Sequence, residues 1–434
     1  MSWQLLVRAL RHRNYRLFFG GQGISLIGTW MTRVATGWLV YRLTGSAFLL
    51  GIVSFASQIP ILFLGPFAGV WVDRLNRHRV LVVTQFLSML ESFALAGLAL
   101  AKIITVEEVI LLNLFQGAIN AFDMPARQAF VIEMVEDPQD LGNAIALNSS
   151  LVNAARLIGP SVAGLLIAGV GEGYCFLIDG ISYMAVIASL LAMQVAPRAR
   201  DHTEKSVLFE LREGWEYVRG SRPIWSILLL LALISLVGMP YTTLMPIFAG
   251  RILHGGAHTL GFLMAAVGVG ALTGAITLAA RKTVLGLGRV IPMTAAGFGA
   301  GLVGFGASRS FWLSMILLVG TGYCFMQQMA SSNTILQTIV ENTKRGRVMS
   351  FYAIAFQGVA PFGSLIAGAI AARIGAPHTL MIGGAICVCG AVLFASELPA
   401  LRRLVRPIYA RIGIIPEVAV GIQSATALQE RTQD

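Results

Sequence analysis

Charged side chains are scarce in this sequence of 434 residues. Aspartate, glutamate, lysine and arginine make up 12% of it, whereas a water-soluble domain carries about 25%. Hydrophobic residues make up 56%, so a soluble fold of this length would lack the polar surface needed to cover its core. A disordered chain is excluded for the same reason. The composition is typical of a protein whose helices lie in a membrane.

Cysteine and histidine are also rare. The four cysteines lie in apolar stretches, and Cys387 and Cys389 would point to different faces of a helix. The six histidines lie in loops. These residues form no disulfide framework, metal-ligand spacing or catalytic set that could meet at one depth of a membrane. We therefore expect no enzyme, metal or cofactor, and the lack of a sizeable extramembrane domain argues against a sensor.

Long apolar runs predict twelve membrane-spanning helices, because a helix needs about 20 apolar residues to cross a bilayer. The first run is too long for a cleaved signal peptide and lacks a small-residue cleavage site, so we expect it to remain as a signal anchor. The predicted helices lie near 17–42, 47–72, 80–101, 105–124, 143–168, 174–195, 224–250, 259–280, 288–308, 311–338, 348–372 and 378–398.

Basic residues outnumber acidic ones, which gives a net charge of +11. They are spread thinly and form no single stripe, so we expect no nucleic-acid partner. If the N-terminus is cytoplasmic, the segments on that side hold 25 of the 32 lysines and arginines, and the outer loops hold 5. Cytoplasmic loops carry such an excess, so we expect a multi-pass protein of a bacterial-type inner membrane with both termini cytoplasmic.

A polar segment at 197–222 divides the predicted helices six and six. Apolar residues recur in it at helical spacing, which predicts an amphipathic helix on the inner membrane surface; a solvated linker is the alternative. Pro160 and Pro361 lie in similar segments 201 residues apart, and a repeat of half the chain is typical of transporters. The predicted parts are a bundle at 1–196, the linker at 197–222, a second bundle at 223–400 and a cytoplasmic tail at 401–434.

A charged motif follows predicted helix 2 and contains Gly69, Asp73, Arg74, Arg77 and Arg79. This Gly-x-x-x-Asp-Arg-x-x-Arg-x-Arg pattern, with six plus six helices, resembles the major facilitator superfamily over nearly the whole chain. The resemblance implies an all-α membrane fold of two pseudo-symmetric six-helix bundles. The aspartate can meet a helix N-terminus of the other half, and the arginines can bond across the interface. We expect a latch that favours the outward-facing state; positive-inside arginines with a turn-capping aspartate are the alternative.

Predicted helix 5 contains a glycine and proline motif of the exporter type, with Gly159, Pro160 and Gly164. The glycines allow close helix contact, and the proline interrupts the hydrogen-bond ladder, as Pro361 does in predicted helix 11. This pattern predicts a flexing point in a gating helix. A packing kink with no directional meaning is the alternative.

Four further segments narrow the resemblance to the enterobactin-exporter-like branch, which includes drug exporters of the macrolide-efflux kind. They begin at Asp123, Asp179, Glu210 and Arg345. The resemblance implies efflux of a bulky organic solute, and the large apolar second half suggests that the solute is amphiphilic or lipophilic, such as a siderophore or drug. We expect a monomer, surrounded by lipid, that works by alternating access. The resemblance also implies the proton motive force as the energy source. A lipid or lysolipid transporter of the same fold is the alternative.

Polar residues in the predicted spans identify candidates for the substrate or proton pathway, because lipid cannot satisfy them. Bonds between helices are the alternative for any single one. The candidates are Arg33, Gln58, Glu91, Asn120, Asp123, Asn153, Arg156, Asp179, Gln328 and Gln357.

Among the charged candidates, Arg33 and Asp179 lie at similar depths, which predicts an ion pair between them. Arg156 lies mid-span and is expected to meet an anionic group of the solute; a structural ion pair with a carboxylate of the first bundle is the alternative. Glu91 lies on a helix that we expect to be peripheral, which makes it a weaker candidate for the substrate or proton pathway. If protons drive transport, Glu91, Asp179 or Asp123 must carry them, because no histidine lies in a span.

Overall fold

The computed structural model describes residues 8–135, 137–195, 207–281, 283–341, 343–411 and 414. Helices form nearly all of this part of the chain, and no strand occurs in it. Twelve helical segments in the described ranges are long enough to cross a membrane. They are named α1 to α12 and span Arg13–Thr44, Ala47–Arg74, Arg77–Leu100, Val106–Met134, Leu141–Val170, Glu172–Leu191, Arg222–Ile252, Ala257–Ala279, Leu287–Ala307, Phe311–Ile339, Arg345–Ile374 and Ala376–Arg411.

Ten of these helices in the described chain are also apolar enough to cross a membrane. The other two, α1 and α4, are long enough but more polar. Local signals explain where several of them begin. Ser46 and Asn76 cap α2 and α3 with their side chains. Thr105 and Glu108 form a reciprocal capping box at the start of α4. The all-α membrane architecture predicted from the apolar runs is confirmed.

The last helix is longer than the sequence predicts. It continues from Ala376 to Arg411, past the predicted end at 398, although Pro399 and Pro407 lie within it. Leu401 is buried against the second half, so packing holds this extension in place. Residues beyond 414 of the predicted tail lie outside the described part of the chain.

Two helices of the second half contain π-helical turns, which the sequence does not predict. In α7 they cover Ile234–Gly238 and Phe248–Ile252, and in α11 one covers Ile354–Gly358. The hydroxyl of Ser235 donates to the carbonyl of Phe356, so the two helices are bonded where their π turns meet. Such turns leave backbone groups without their usual helical partners and are frequent at functional sites.

The two halves touch closely near one face of the protein. The terminal face is the one at which α1 begins and α12 ends; the opposite face is where α1 ends. Near the opposite face, a Cβ built on Gly51 of α2 would lie 3.2 Å from the Cα of Gly368 in α11. A Cβ built on Gly164 of α5 would lie 2.9 Å from the Cα of Gly261 in α8. Only glycine permits such close backbones, so these two contacts form a seal between the halves.

Closer to the terminal face of the protein, glycines of α2 and α5 have no neighbour in the other half. Gly65 and Gly69 continue the face of α2 that carries Gly51, and a Cβ built on either meets nothing within 4 Å. On α5, Gly142 also has open space, and Ser150 is exposed. From these contacts we infer a cleft between the halves that is closed at the opposite face and open toward the terminal face.

The linker contains a helix, as predicted, over Val207–Gly220. It packs on the second half, because Val218 is fully buried and the carboxylate of Glu213 pairs with Arg347 of α11 at 2.6 Å. Trp215 remains 42% exposed. The helix is thus attached to α11 and is more than a segment resting on a membrane surface.

The chain before α1 is attached to the loop between α4 and α5. Asp140 is fully buried and accepts a hydrogen bond from His12 at 2.9 Å, and it pairs with Arg11 at 2.7 Å and with Arg8. Burial raises the pKa of the Asp140 carboxyl, but the bond from His12 and the charges of Arg11 and Arg8 outweigh it and lower the pKa below its ordinary value. The carboxylate therefore stays ionised at neutral pH.

Candidate functional site

Two arginines within the spans converge on one indole ring. The guanidinium carbon of Arg33 in α1 lies 4.6 Å from the centroid of Trp30, and that of Arg156 in α5 lies 5.6 Å from the same centroid. Each contact is within the range of a cation–π interaction. Arg33 is exposed and Arg156 is partly buried. Two positive charges thus share one aromatic side chain beside the cleft.

The predicted ion pair between Arg33 and Asp179 is wrong. No ion pair or hydrogen bond involves the guanidinium of Arg33 or Arg156 in the described chain. Successive helical residues point about 100° apart. Thr32 faces α6 and donates to Asp179 at 2.8 Å, so the next residue, Arg33, is turned away from that carboxylate.

Glu91 and Asp179 form a second charged group, buried between α1, α3 and α6. Their side chains are almost completely inaccessible. The hydroxyl of Ser92 lies 3.4 Å from Oε2 of Glu91 and 3.2 Å from Oδ2 of Asp179. The helix that carries Glu91 was expected to be peripheral, but α3 turns this side chain into the first half. In the described chain, neither carboxylate has a basic partner.

Asp123 is also buried, but its charge is already compensated. It accepts hydrogen bonds from Thr84 at 2.9 Å and Gln85 at 2.7 Å, and it pairs with Arg127 one turn later in α4. Asn120 lies one turn before it and accepts a bond from Gln116 at 3.3 Å. These contacts give both candidates structural partners between α3 and α4.

A chain of polar side chains links the halves on the sealed side of the cleft. The amide of Gln58 lies 3.4 Å from the hydroxyl of Ser54, to which Thr243 of α7 donates at 3.2 Å. Thr243 is also 3.1 Å from the hydroxyl of Ser364 in α11. Gln58 therefore belongs to the contact between the halves.

The other amide candidates are separated from these groups. Asn153 donates to the carbonyl of Ser149 one turn earlier. Gln328 is fully buried in the second half and donates to Ser332 at 3.3 Å. Gln357 is exposed at the π turn of α11. The structure does not bring these three together into one site.

The charged motif after α2 is only partly described. The side chain of Asp73 lies outside the described part of the chain, whereas Arg74 and Arg79 are exposed. Arg77 pairs with Glu133 of α4 at 2.7 Å. That arginine thus has a partner within the first half.

The glycine and proline motif of α5 lies where three helices meet. A Cβ built on Gly159 would lie 2.5 Å from the Cβ of Trp30 in α1, and Gly164 faces α8 at the seal. The carbonyl of Pro160 would lie 2.6 Å from a Cβ on Gly261. Pro361 is buried and follows the π turn of α11. The motif therefore fixes both the position of Trp30 and the contact between the halves.

A separate cavity of about 510 Å³ lies between α7, α9 and α12, toward the terminal face. Its lining is mostly apolar, and it is remote from the residues around Trp30. Four arginines also line it, namely Arg289, Arg402, Arg403 and Arg406.

Sequence reasoning missed Trp30, Ser92 and Thr243. Trp30 and Arg33 are three residues apart, a spacing that places side chains on one helix face and could have indicated their contact. The roles of Ser92 and Thr243 depend on which helices are neighbours, and no local signal shows that.

Comparisons with known proteins agree with this architecture. A family model described as transmembrane secretion effector matches residues 7–407. The chain is similar to a staphyloferrin A transporter of Staphylococcus aureus, with 25% identity over 87% of this chain and 95% of the other. It is also similar to macrolide efflux protein A of Streptococcus pyogenes, with 24% identity over 88% of this chain and 96% of the other.

A solved structure of the nucleoside transporter NupG has the same fold, with a TM-score of 0.68 and 13% identity, and covers 89% of this chain and 98% of that one. The family model covers most of the chain, and its relatives are transporters of siderophores and drugs. The protein is therefore a multi-pass membrane transporter of organic solutes that belongs to the transmembrane secretion effector family of the major facilitator superfamily.

Proposed function

We propose that this transporter exports a bulky, amphiphilic solute of the siderophore or drug type from a bacterial cell by alternating access, driven by protons. The observation that carries the proposal is the cleft itself, which is sealed at the opposite face by Gly164 and Gly261 and open toward the terminal face. Buried charged groups lie beside it. Such a cleft is one of the two states that alternating access requires.

The distribution of basic residues indicates how the protein is oriented in the membrane. The segments on the terminal face hold 25 of 32 lysines and arginines, so this face is the cytoplasmic one and both termini are cytoplasmic. The described conformation is then inward-facing and accepts solute from the cytoplasm. A macrolide efflux protein among the relatives supports export.

The halves at 1–196 and 223–400 would rock about the cleft, with the linker at 197–222 and the tail at 401–434 on the cytoplasmic side. In the outward-facing state, the charged motif would close the cytoplasmic end, and the seal at the opposite face would open. The residues assigned to these gates are Gly69, Asp73, Arg74, Arg77, Arg79, Gly159, Pro160, Gly164 and Pro361.

Protons would bind at Glu91 and Asp179. Two ionised carboxylates without a basic partner are costly inside a membrane protein, and one shared proton removes their mutual repulsion and one of the two charges. Asp123 is a poorer candidate, because Arg127 and two hydrogen-bond donors already stabilise its charge.

The hydroxyl groups indicate which carboxyl holds the proton. Thr32 donates to Asp179, and the single proton of Ser92 can serve only one of the two carboxylates. If Glu91 is protonated, it donates to Ser92, which then donates to Asp179. The hydroxyl of Ser92 then accepts from Glu91 and donates to Asp179, so both of its hydrogen bonds have compatible partners. Because Thr32 precedes Arg33, movement of α1 would link this proton to the cleft.

The transporter would work as a monomer without a cofactor, surrounded by lipid. The cavity between α7, α9 and α12 combines an apolar lining with four arginines. Such a site suits an anionic phospholipid of the cytoplasmic leaflet.

Uptake into inside-out vesicles tests export directly. Vesicles with an acidic lumen would be given a radiolabelled macrolide, a carboxylate siderophore and lysophosphatidylcholine in separate assays. We expect uptake of the macrolide or the siderophore above that of vesicles without the protein, and loss of this uptake when a protonophore removes the pH difference.

Variants separate coupling from binding. Glu91→Gln and Asp179→Asn should abolish proton-driven uptake, while exchange of internal for external solute continues. Glu107→Gln changes an exposed glutamate at the opposite face and serves as the matched control. Uptake of the lysolipid alone would favour lipid transport. Uptake that resists the protonophore would contradict proton coupling.

A further inference from the structure

We propose that Arg33 and Arg156, gathered around Trp30, bind the anionic group of the solute, so that the substrate class is an amphiphilic organic anion. This inference rests on the proposed export function and specifies its substrate.

Helix packing fixes the geometry of this site. The absence of a side chain at Gly159 lets α5 approach α1 so closely that a Cβ there would lie 2.5 Å from the Cβ of Trp30. Arg156 lies one turn before Gly159, and Arg33 lies one turn after Trp30. The close contact therefore brings two arginines from different helices to the same ring. The indole holds both guanidinium groups without neutralising their charges.

The two positive charges lack a counterion. In the described chain neither guanidinium has a carboxylate partner, and the two charges repel each other. The nearby carboxylates of Glu91 and Asp179 are on the other side of α1, where hydroxyl groups occupy them. Uncompensated charges in a membrane span are costly and mark pathways for charged ligands. An anion that enters the cleft would supply the missing charge.

Helices of the second half lie beside this site and offer a further hydrogen-bond donor. The α5 backbone at Arg156 packs on Gly268 of α8, whose Cβ would lie 3.4 Å from the Arg156 carbonyl. Tyr241 of α7, in the second half, is fully buried. Its hydroxyl is buried and has no hydrogen-bond partner in the described chain. Buried hydroxyl groups normally have a partner, so this one is available to donate to an anion.

The chemistry of these groups defines the ligand. Guanidinium groups present planar pairs of donors that match a carboxylate or phosphate, and an indole face packs against an apolar or aromatic body. Two arginines suit a dianion better than a monoanion. A soluble organic carboxylate and an anionic lipid share this chemistry, and competition experiments distinguish the two sources.

Binding of two matched dyes to the purified protein tests the proposal without requiring transport. Carboxyfluorescein is an anion and rhodamine 123 is a cation with the same ring system. Fluorescence anisotropy at pH 7.5 should show at least tenfold tighter binding of carboxyfluorescein to the unmodified protein. This comparison needs no variant, so it does not depend on the folding of one.

Substitutions then locate the bound anion. Arg33→Gln and Arg156→Gln should each weaken carboxyfluorescein binding about tenfold, and Tyr241→Phe should weaken it severalfold. Lysine at either arginine position should retain part of the affinity, because the charge remains while the planar donors are lost. Arg373→Gln removes an exposed arginine at the opposite face and should change nothing.

Competing ligands identify the source of the anion. Displacement of the dye by 4-biphenylcarboxylate supports a soluble organic anion, whereas displacement only by lysophosphatidylglycerol supports a lipid anion at the same site. Equal binding of the two dyes, unchanged affinity in both glutamine variants, or uptake of the cationic macrolide without uptake of the carboxylate siderophore would overturn the proposal. If the anion binds at these arginines but no solute enters vesicles, the export function fails and the anion site stands.

Discussion

The seal at the opposite face can be weakened by one methyl group. In Gly164→Ala, the new Cβ would lie 2.9 Å from both the Ala257 carbonyl oxygen and the Cα of Gly261. Both neighbours are backbone atoms of α8 and cannot rotate away. Because carbon atoms pack at about 3.5–4.0 Å, α5 and α8 must separate by roughly 0.6–1.1 Å.

The expected shift in population follows from the cost of this overlap. Overpacking by a methyl group costs about 1–3 kcal/mol. The cost falls on the sealed state alone, because the two glycines separate when the halves rock. About 1–3 kcal/mol corresponds to roughly a 5- to 150-fold gain in the ratio of outward-facing to inward-facing molecules.

Distances between spin labels at the opposite face measure this ratio. Labels on Ile103→Cys and Trp312→Cys, two exposed positions in different halves, would be placed after replacement of the four native cysteines. Double electron–electron resonance should show a larger fraction of long distances in the Gly164→Ala protein.

Gly169→Ala is the matched control, because it lies in the same helix and its Cβ meets nothing within 4 Å. It should keep the distances of the unmodified protein. Identical distance distributions in the two alanine variants would show that the contact between Gly164 and Gly261 does not hold the opposite face closed.

Asp140→Asn should lower the melting temperature at neutral pH. Folding lowers the pKa of the Asp140 carboxyl, so its ionised form stabilises the fold above the ordinary carboxyl pKa of about 4. The difference in melting temperature between the variant and the unmodified protein should therefore shrink as the pH falls below about 4. A loss that is independent of pH between 7 and 3.5 would contradict this assignment. Glu213→Gln should remove the pair with Arg347 and speed hydrogen exchange in the linker helix, with a stability cost of only about 0.2–1 kcal/mol because the pair is partly exposed. Unchanged exchange would show that apolar packing alone holds that helix. Replacing three arginines of the cavity by glutamine should reduce the amount of phosphatidylglycerol that stays bound in native mass spectra; the three are Arg402, Arg403 and Arg406. The amount of bound phosphatidylcholine should not change.

Most of the fold could be predicted because the thickness of a membrane fixes the length of apolar runs. The all-α architecture and the positions of most apolar helices follow from that constraint. The π turns of α7 and α11 could not be predicted, since they depend on contacts such as that of Ser235 with the carbonyl of Phe356. The extension of α12 to Arg411 also depends on packing, which outweighs the helix-breaking tendency of Pro399.

The sequence showed which residues are candidates for the site, but it did not show which of them contact each other. Depth along the chain suggested that Arg33 faces Asp179, yet a helix turns each successive side chain by about 100°, and Thr32 takes that position. Similarly, Glu91 was assigned to a peripheral helix, although a peripheral helix still has one face toward its bundle. The direction of that face is set by the neighbours α1 and α6, which a single sequence does not show.

In the proposed mechanism, α1 connects the solute site, the proton site and the contact between the halves. One of its faces carries Thr32 against Asp179, and another carries Trp30 and Arg33 beside the cleft. Near its opposite end, a Cβ built on Gly37 would lie 3.5 Å from Pro246 of α7 in the other half. Because a helix transmits rotation along its length, a turn of α1 that frees Thr32 from Asp179 would also move Arg33 and the contact with α7. Binding of an anion at Arg33 and release of the proton at Glu91 would then act on one rigid body. That shared body is a physical route by which proton entry can drive solute exit.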